Sequence, residues 1–409
     1  MFKNSFCSLL KARNFTNKVQ QQHIHFWVVV TIFAGLGFQV GVWTILLADL
    51  AHALKLSAAL LGIALSCFSG AGIVLLTFGS YLADRLKRRF IVLLGIGGLG
   101  LFYISLIFVA TYPLLLTTLF FGGTAASCYD LAVNTLGGDY ERHYAKKVMT
   151  LFHASFSGGA ALGAIGSAVA LTNGVDYRAV YGATGLLLLV LGGAMTFLPL
   201  PPTLIQTTSA KKATKHSKSL SSGLAVLILP MVLLAVALVS LSFFTDGALE
   251  GYISIYLRDL LGSGVLLGGL GIAAFHVIGL LGRLVSAIAL RHYGERGVIT
   301  ISGTLSIVGM ILALSTTSAP FAVSGLLLVG LGQSPIVATA FSLAAEAGPQ
   351  QGARAVATVT AFGYSVFLVS PLLIGVLANF FSLRAALLLT IVTSVGIVLV
   401  AQRLPGKRV

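Results

Sequence analysis

Positive charge alternates along this chain. Apolar stretches of about 20 residues, the length that crosses a hydrocarbon core of about 30 Å as a helix, follow one another from Phe26 to Leu404. Lys and Arg collect in every second gap between them. A chain that crosses a bilayer many times and keeps its basic loops in the cytoplasm has this pattern. Of the 26 basic residues, 21 fall on one side of the proposed membrane and four (Lys55, Arg178, Arg258 and Arg384) on the other. The remaining one, Arg283, lies within an apolar span. The excess puts both termini in the cytoplasm and makes the number of spans even.

Composition agrees. Only 9% of the residues are charged and 57% are hydrophobic, against about 25% charged in soluble domains. Lipid is therefore the solvent for most of the chain. The net charge of +15 is loop charge that sets orientation, which argues against nucleic acid as a partner. Cys7, Cys67 and Cys128 show neither a CxxC nor a His/Cys spacing, so neither a metal site nor a disulfide framework is expected. Residues 1–25 lack a long apolar core and a small-residue cleavage site, and read as a cytoplasmic tail.

The spans read as 26–48, 58–81, 90–110, 113–138, 148–172, 178–198, 223–257, 264–290, 297–317, 320–345, 353–380 and 383–404. Continuous apolar runs select helices over barrel strands. The expected fold is an all-α integral membrane protein with twelve transmembrane helices in two six-helix bundles. The expected parts are an N-terminal tail (1–25), a first bundle (26–198), a basic cytoplasmic linker (199–222), a second bundle (223–404) and a C-terminal tail (405–409). The linker reading rests on Pro199, Pro201 and Pro202 followed by a Ser/Thr/Lys-rich run.

The halves resemble each other. Shifting the first by 207 residues puts Gly62 on Gly269, Phe68 on Phe275, Gly72 on Gly279 and Gly123 on Gly330. Parallel repeats joined by a central linker imply pseudo-two-fold symmetry and a site near the midplane.

The loop after the second span reads Ser80-Tyr-Leu-Ala-Asp84-Arg85-Leu-Lys87-Arg88-Arg89. It resembles the signature loop of the major facilitator superfamily, with Ser80 and Lys87 in place of two glycines. A narrower set of motifs is similar to the bacterial YbjJ-like branch: Tyr129-Asp130-Leu-Ala-Val-Asn134, Asp246-Gly247-Ala248, Gly282-Arg283-Leu284 and Gly332-Gln-Ser-Pro335. It departs at Asp246, where Glu is expected, and at Ser286-Ala287, where Gly-Asp is expected. The resemblance implies a secondary transporter of the inner membrane, a monomer, moving a small molecule by alternating access. It also implies that Asp84, Arg85, Arg88 and Arg89 act as a cytoplasmic conformational motif.

A charge near the bilayer centre costs at least about 2.5–3.5 kcal/mol on insertion scales, so it requires a partner or a wet cavity. Asp130, Asp246 and Glu250 are such charges and are the proton-coupling candidates. Asp130 and Asn134 share a helical face, as do Asp246 and Glu250. Two carboxyls one turn apart in a low dielectric repel, an arrangement suited to proton exchange. The substrate-cavity candidates are Gln39, Trp43, Gln333 and Tyr364 by depth, Asn134 by its place one turn from Asp130, and His276 by its place near mid-span on the face that carries Arg283. Arg283 and Glu346 form a candidate cytoplasmic gate, and His153 is a candidate structural partner for Asp130. Pro335 withholds a backbone N–H and predicts an irregular tenth span.

Enzyme chemistry finds no support. The acids are scattered, the histidines isolated, and no Gly-x4-Gly-Lys-Ser/Thr loop occurs. No cofactor or metal is expected; the driving force would be a proton gradient. An uncoupled facilitator or a receptor of the same fold is the alternative.

Overall fold

The computed structural model describes residues 2–202, 225–346 and 352–406; most of the expected linker and the last three residues lie outside these. Side chains of residues 2–18, 76–85, 225, 287 and 353 are also outside the description. Twelve helices among the described residues are long and apolar enough to cross a membrane. They are α1 (Val19–Ala53, the apolar part of a helix that starts at Phe2), α2 (Ala58–Arg85), α3 (Arg88–Leu106), α4 (Tyr112–Tyr144), α5 (Met149–Thr172) and α6 (Tyr177–Ala194). The second half supplies α7 (Pro230–Leu260), α8 (Gly264–Ser286), α9 (Ile288–Ser315), α10 (Ala319–Ala345), α11 (Arg354–Phe380) and α12 (Leu383–Ala401).

Local chemistry sets where several helices start and break. Pro113, Pro230 and Pro320 sit in the first turns of α4, α7 and α10, where a missing N–H costs nothing. The start at Pro230 trims the seventh span from its expected beginning at 223; a single 3-10 turn, Ala225–Ile228, precedes it. Inside α10 the helix stops at Gln333 and resumes at Ile336, the interruption that Pro335 dictates. Helices α8 and α9, expected as separate spans, run on as one chain of helical turns. Only Gly294 breaks them, with φ 67° and ψ 176°, a conformation open to a residue without a Cβ. At the far end of α7 the last turn, Tyr256–Leu260, widens to a π-turn.

Lipid offers no hydrophobic drive for helix association, so small residues that let backbones meet decide the packing. Helices α1 and α5 show this best. A Cβ on Gly37 or Gly41 would collide with the carbonyls of Phe156 or Ala160, and one on Gly159 or Gly163 with those of Ala34 or Phe38. Gly158 and Gly166 of the same helix face open space; their role is not close packing. Large apolar side chains such as Phe108, Phe121, Leu186 and Leu399 lie outermost and exposed, as a lipid-facing surface requires.

The internal repeat is visible in these contacts. Gly123 of α4 abuts the carbonyl of Phe68 in α2. Its counterpart Gly330 of α10 abuts the carbonyl of Phe275 in α8, where an added Cβ would lie 3.0 Å away. Between the halves, Gly62 of α2 meets the carbonyl of Pro371 in α11, and Gly269 of α8 meets that of Ala164 in α5. All four correspondences carry the 207-residue shift read from the sequence. The halves thus meet through α2 on α11 and α5 on α8, with α1 against α7 between them.

Candidate functional site: a cavity between the two bundles

A cavity of about 330 Å³ opens between the halves, lined by α1, α2, α3, α4, α5, α7 and α11. One wall is aromatic. The Trp43 ring stacks on Phe68, with centroids 6.0 Å apart and planes 15° apart. Phe102 lies 5.9 Å from both. The close approach of Gly123 to the Phe68 backbone draws α2 against α4 and carries Phe68 into this wall. Gln39 completes it. Tyr103 donates to the Gln39 backbone carbonyl at 2.6 Å and to its Oε1 at 3.0 Å, while Gln39 Nε2 donates to Leu36 O at 3.0 Å. Its amide is thereby held in one orientation.

The lining also carries two carboxyls. Asp130 Oδ1 accepts from Asn134 Nδ2 at 3.0 Å, and Oδ2 accepts from the Tyr364 hydroxyl of α11 at 3.5 Å. Asn134 also donates to the Asp130 carbonyl at 2.9 Å. Glu250 of α7 lines the cavity too; among the described residues it has no hydrogen-bond partner.

Of the sequence candidates, Gln39, Trp43, Asp130, Glu250 and Tyr364 come together on this lining. Asn134, Asp246, His276 and Gln333 lie off it, each for a local reason. Asn134 is turned to Asp130. Gln333 is buried between helices, its Oε1 accepting from Ser242 Oγ at 2.7 Å. The His276 ring sits edge-on to Phe275. Asp246 is an electrostatic neighbour of Arg283 on α8, though the two form no direct ion pair.

The pairing expected between Arg283 and Glu346 is absent from this state. Arg283 Nη1 donates to Ser157 Oγ of α5 at 3.3 Å, and Glu346 is exposed at the end of α10. Nor does His153 partner Asp130; it packs edge-on against Phe33.

The cavity is sealed at the end that carries the α1–α2 and α7–α8 turns. Arg258, in the π-turn of α7, holds Asp49 of α1 through two parallel bonds, Nη1 to Oδ2 at 2.7 Å and Nη2 to Oδ1 at 2.9 Å. Nη1 also reaches the Ile45 carbonyl at 2.9 Å. Arg258 is only 8% exposed and Asp49 21%, so the fork works in poorly hydrated surroundings, where bidentate geometry is strongest. Beside it the Tyr252 hydroxyl is shared between the carbonyls of Ala58 (2.9 Å) and Pro371 (3.0 Å). His52 and Asp259 lie 2.8 Å apart at the rim.

At the opposite end the arginines after α2 bind within their own half. Asp139, fully buried in α4, meets Arg142 at 2.6 Å and Arg88 at 3.4 Å. Arg89 donates to the carbonyls of Thr196 and Leu198 after α6, the latter at 3.0 Å. Glu141 Oε1 accepts from the backbone N–H groups of Val148 and Met149, at 2.6 and 2.8 Å, and so caps α5. Asp84 and Arg85 lie in α2, their side chains outside the described residues.

Sequence reading passed over Asp49, Arg258 and Asp139 because each sits where an ordinary loop charge would. The signal that marks the first two is the repeat. Asp49 and Arg258 are 209 positions apart, so a shift of 207 brings them to the same level on opposite sides of the axis.

Two six-helix halves related by a pseudo-two-fold axis, around a cavity closed at one end, define a membrane carrier. The family model described as "Major Facilitator Superfamily" matches residues 27–353, and the chain belongs to that superfamily. It is 30% identical over 306 residues to the uncharacterized transporter y4wD of Sinorhizobium fredii, covering 74% of this chain and 76% of that protein. It is 27% identical to an uncharacterized MFS-type transporter of Yersinia pestis, over 88% of this chain and 92% of that one. The fold is shared with a bacterial homologue of the human lysosomal transporter Spinster, solved in an inward-facing, unoccupied conformation. That likeness has a TM-score of 0.75 at 12% identity and covers 93% and 97% of the two chains. The nucleoside transporter NupG gives a TM-score of 0.72 at 14% identity, with 93% and 98% covered. The protein is a transporter and not an enzyme.

Proposed function

We propose that this protein is a proton-coupled secondary transporter of the inner membrane, acting as a monomer. It moves a small organic solute through the cavity by alternating access. One observation carries the reading: two carboxyls from different halves, Asp130 and Glu250, share a cavity that is closed at one end only by contacts between the halves. Breaking the Asp49–Arg258 fork while the α2–α3 end closes would expose the same carboxyls to the other side. The charge alternation supports placing the α2–α3 end and both termini in the cytoplasm, so the end sealed by the Asp49–Arg258 fork would face outward.

Asp130 is the coupling group we favour. Its partners Asn134 and Tyr364 can donate to it when it is ionised, and Tyr364 reaches it from the other half. Proton gain or loss at Asp130 thereby alters a bond between the halves.

The test is flux in proteoliposomes, with a pH-sensitive dye inside, during a screen of small solutes. A coupled carrier moves protons when its solute is added and concentrates that solute under an imposed gradient. Asp130→Asn should keep solute exchange and lose gradient-driven accumulation. If the parent protein equilibrates the solute and never concentrates it, the uncoupled facilitator is the correct reading. If Asp130→Asn and Asp246→Asn both accumulate solute like the parent, the coupling assignment fails.

A further inference from the structure

The charges inside the bundle do not balance. Away from the charges paired at the two ends of the bundle, Asp49–Arg258 and Asp139 with Arg88 and Arg142, the spans hold Asp130, Asp246 and Glu250 against a single guanidinium, Arg283. Arg283 bonds to Ser157, and neither carboxyl of the cavity has an ion-pair partner among the described residues. Among the described residues the cavity lining has neither Lys, Arg nor His. An isolated carboxylate in such surroundings must take up a proton or a cationic guest.

The two carboxyls differ in what already satisfies them. Asp130 has Asn134 on one oxygen and Tyr364 on the other. Glu250 faces the cavity with both oxygens free of protein partners among the described residues.

The repeat adds the geometry. Glu250 is the counterpart of Trp43 under the 207-residue shift, so the two stand at the same depth on α7 and α1, across the pseudo-axis, and both line the cavity. One face thus offers an unpaired carboxylate. The other offers an indole, the side chain that attracts cations most strongly through its ring face. Behind the indole, Phe68 and Phe102 extend an apolar surface.

We propose that the cavity takes an amphipathic organic cation. Its ammonium sits between Glu250 and the Trp43 ring, and its apolar body lies over Phe68 and Phe102. This rests on the transporter reading above and names its substrate class. A proton on Glu250 and the cation exclude each other, so the cation displaces a proton at its binding site while Asp130, with its bond to Tyr364 of the other half, remains the group that couples protonation to the motion of the halves.

The probe set is benzyltrimethylammonium, its neutral carbon isostere neopentylbenzene, and the anion benzylsulfonate. Binding to purified full-length protein is read from Trp43 fluorescence in a Trp27→Phe background. The cation should bind at least about tenfold more tightly than either other probe, a difference of about 1.4 kcal/mol. Glu250→Gln should remove that preference and leave the weak binding of the neutral isostere unchanged. Trp43→Phe, followed by displacement of labelled cation, should weaken binding by less than Glu250→Gln does.

Equal affinity for the three probes, tighter binding of the anion, no binding of the cation, or an unaltered cation preference in Glu250→Gln each overturns the proposal. Those outcomes leave proton-driven flux of another solute intact. Loss of all coupled flux with the cation preference preserved would instead remove the coupling and keep the substrate class.

Discussion

His52 Nε2 and Asp259 Oδ2 meet at hydrogen-bonding distance, 2.8 Å, and they are 207 positions apart, so each is the repeat counterpart of the other. A residue that meets its own counterpart lies on the symmetry axis, as at an isologous dimer interface. The axis therefore passes through the sealed end of the cavity, and the stronger Asp49–Arg258 fork lies beside it. Contacts on the axis join the two halves directly, so they bear on every motion of one half against the other.

The fork should hold this end shut. Arg258→Gln leaves Asp49 without its partner and is expected to shift the population toward the state open at the α1–α2 end. Accessibility of single cysteines lining the cavity, to a membrane-impermeant thiol reagent added from that side, should rise several-fold. A charge-reversed Asp49→Arg/Arg258→Asp pair should recover part of the closure. His52→Gln should change accessibility little, because His52 is 59% exposed and such surface pairs contribute about 0–1 kcal/mol.

Glycine substitutions in α5 should separate by position. Gly159→Val and Gly163→Val place side chains against the α1 carbonyls of Ala34 and Phe38, and overpacking of this kind costs about 1–3 kcal/mol. Gly158→Ala and Gly166→Ala meet nothing and should be tolerated. The midpoint of thermal unfolding in detergent, followed by loss of the monodisperse species, checks the contrast. Equal losses at all four positions would contradict the packing described.

Asp139→Ala should destabilise the first half. It removes a buried carboxylate that faces two guanidiniums. Breaking a buried pair costs about 3–5 kcal/mol, but Arg88 and Arg142 keep 28% and 48% of their side-chain surface, so about 1–2 kcal/mol is expected after screening by water. The same thermal measurement should show a lower midpoint for Asp139→Ala than for Arg142→Ala. Arg142 is the more exposed partner, and its loss leaves Arg88 beside the carboxylate.

Tyr364→Phe tests the bond between α11 and Asp130 without changing the apolar volume. Coupled accumulation should fall severalfold while uncoupled exchange persists, because only the hydroxyl that reaches Asp130 Oδ2 is lost. An accumulation ratio equal to the parent's would show that this bond plays no part in coupling.

Much of the architecture was legible before any coordinates. The twelve spans follow from hydropathy, and the repeat follows from glycines that recur where backbones touch: Gly123 and Gly330 each meet the carbonyl of a repeat-related Phe. The site was legible in part. Charge within a span marked Asp130 and Glu250, and depth marked Gln39, Trp43 and Tyr364, since a polar or charged group in lipid must face something wet. Depth does not say which way a helix turns a residue, and so His276 and Gln333 looked like true lining residues although Gln333 is buried against Ser242 of α7 and His276 lies off the lining, edge-on to Phe275.

By itself, the sequence determined the medium, the number of crossings, the expected orientation and the duplication, because each of these is a one-dimensional pattern of charge or apolarity. Only the tertiary structure decided which charges meet. Asp49 and Arg258 look like separate loop charges until the pseudo-axis brings α1 against α7. Asp130 and Glu250 look alike until Asn134 and Tyr364 satisfy one and leave the other free. Pairing depends on distances across the bundle, and the glycine contacts that bring the helices together set those distances.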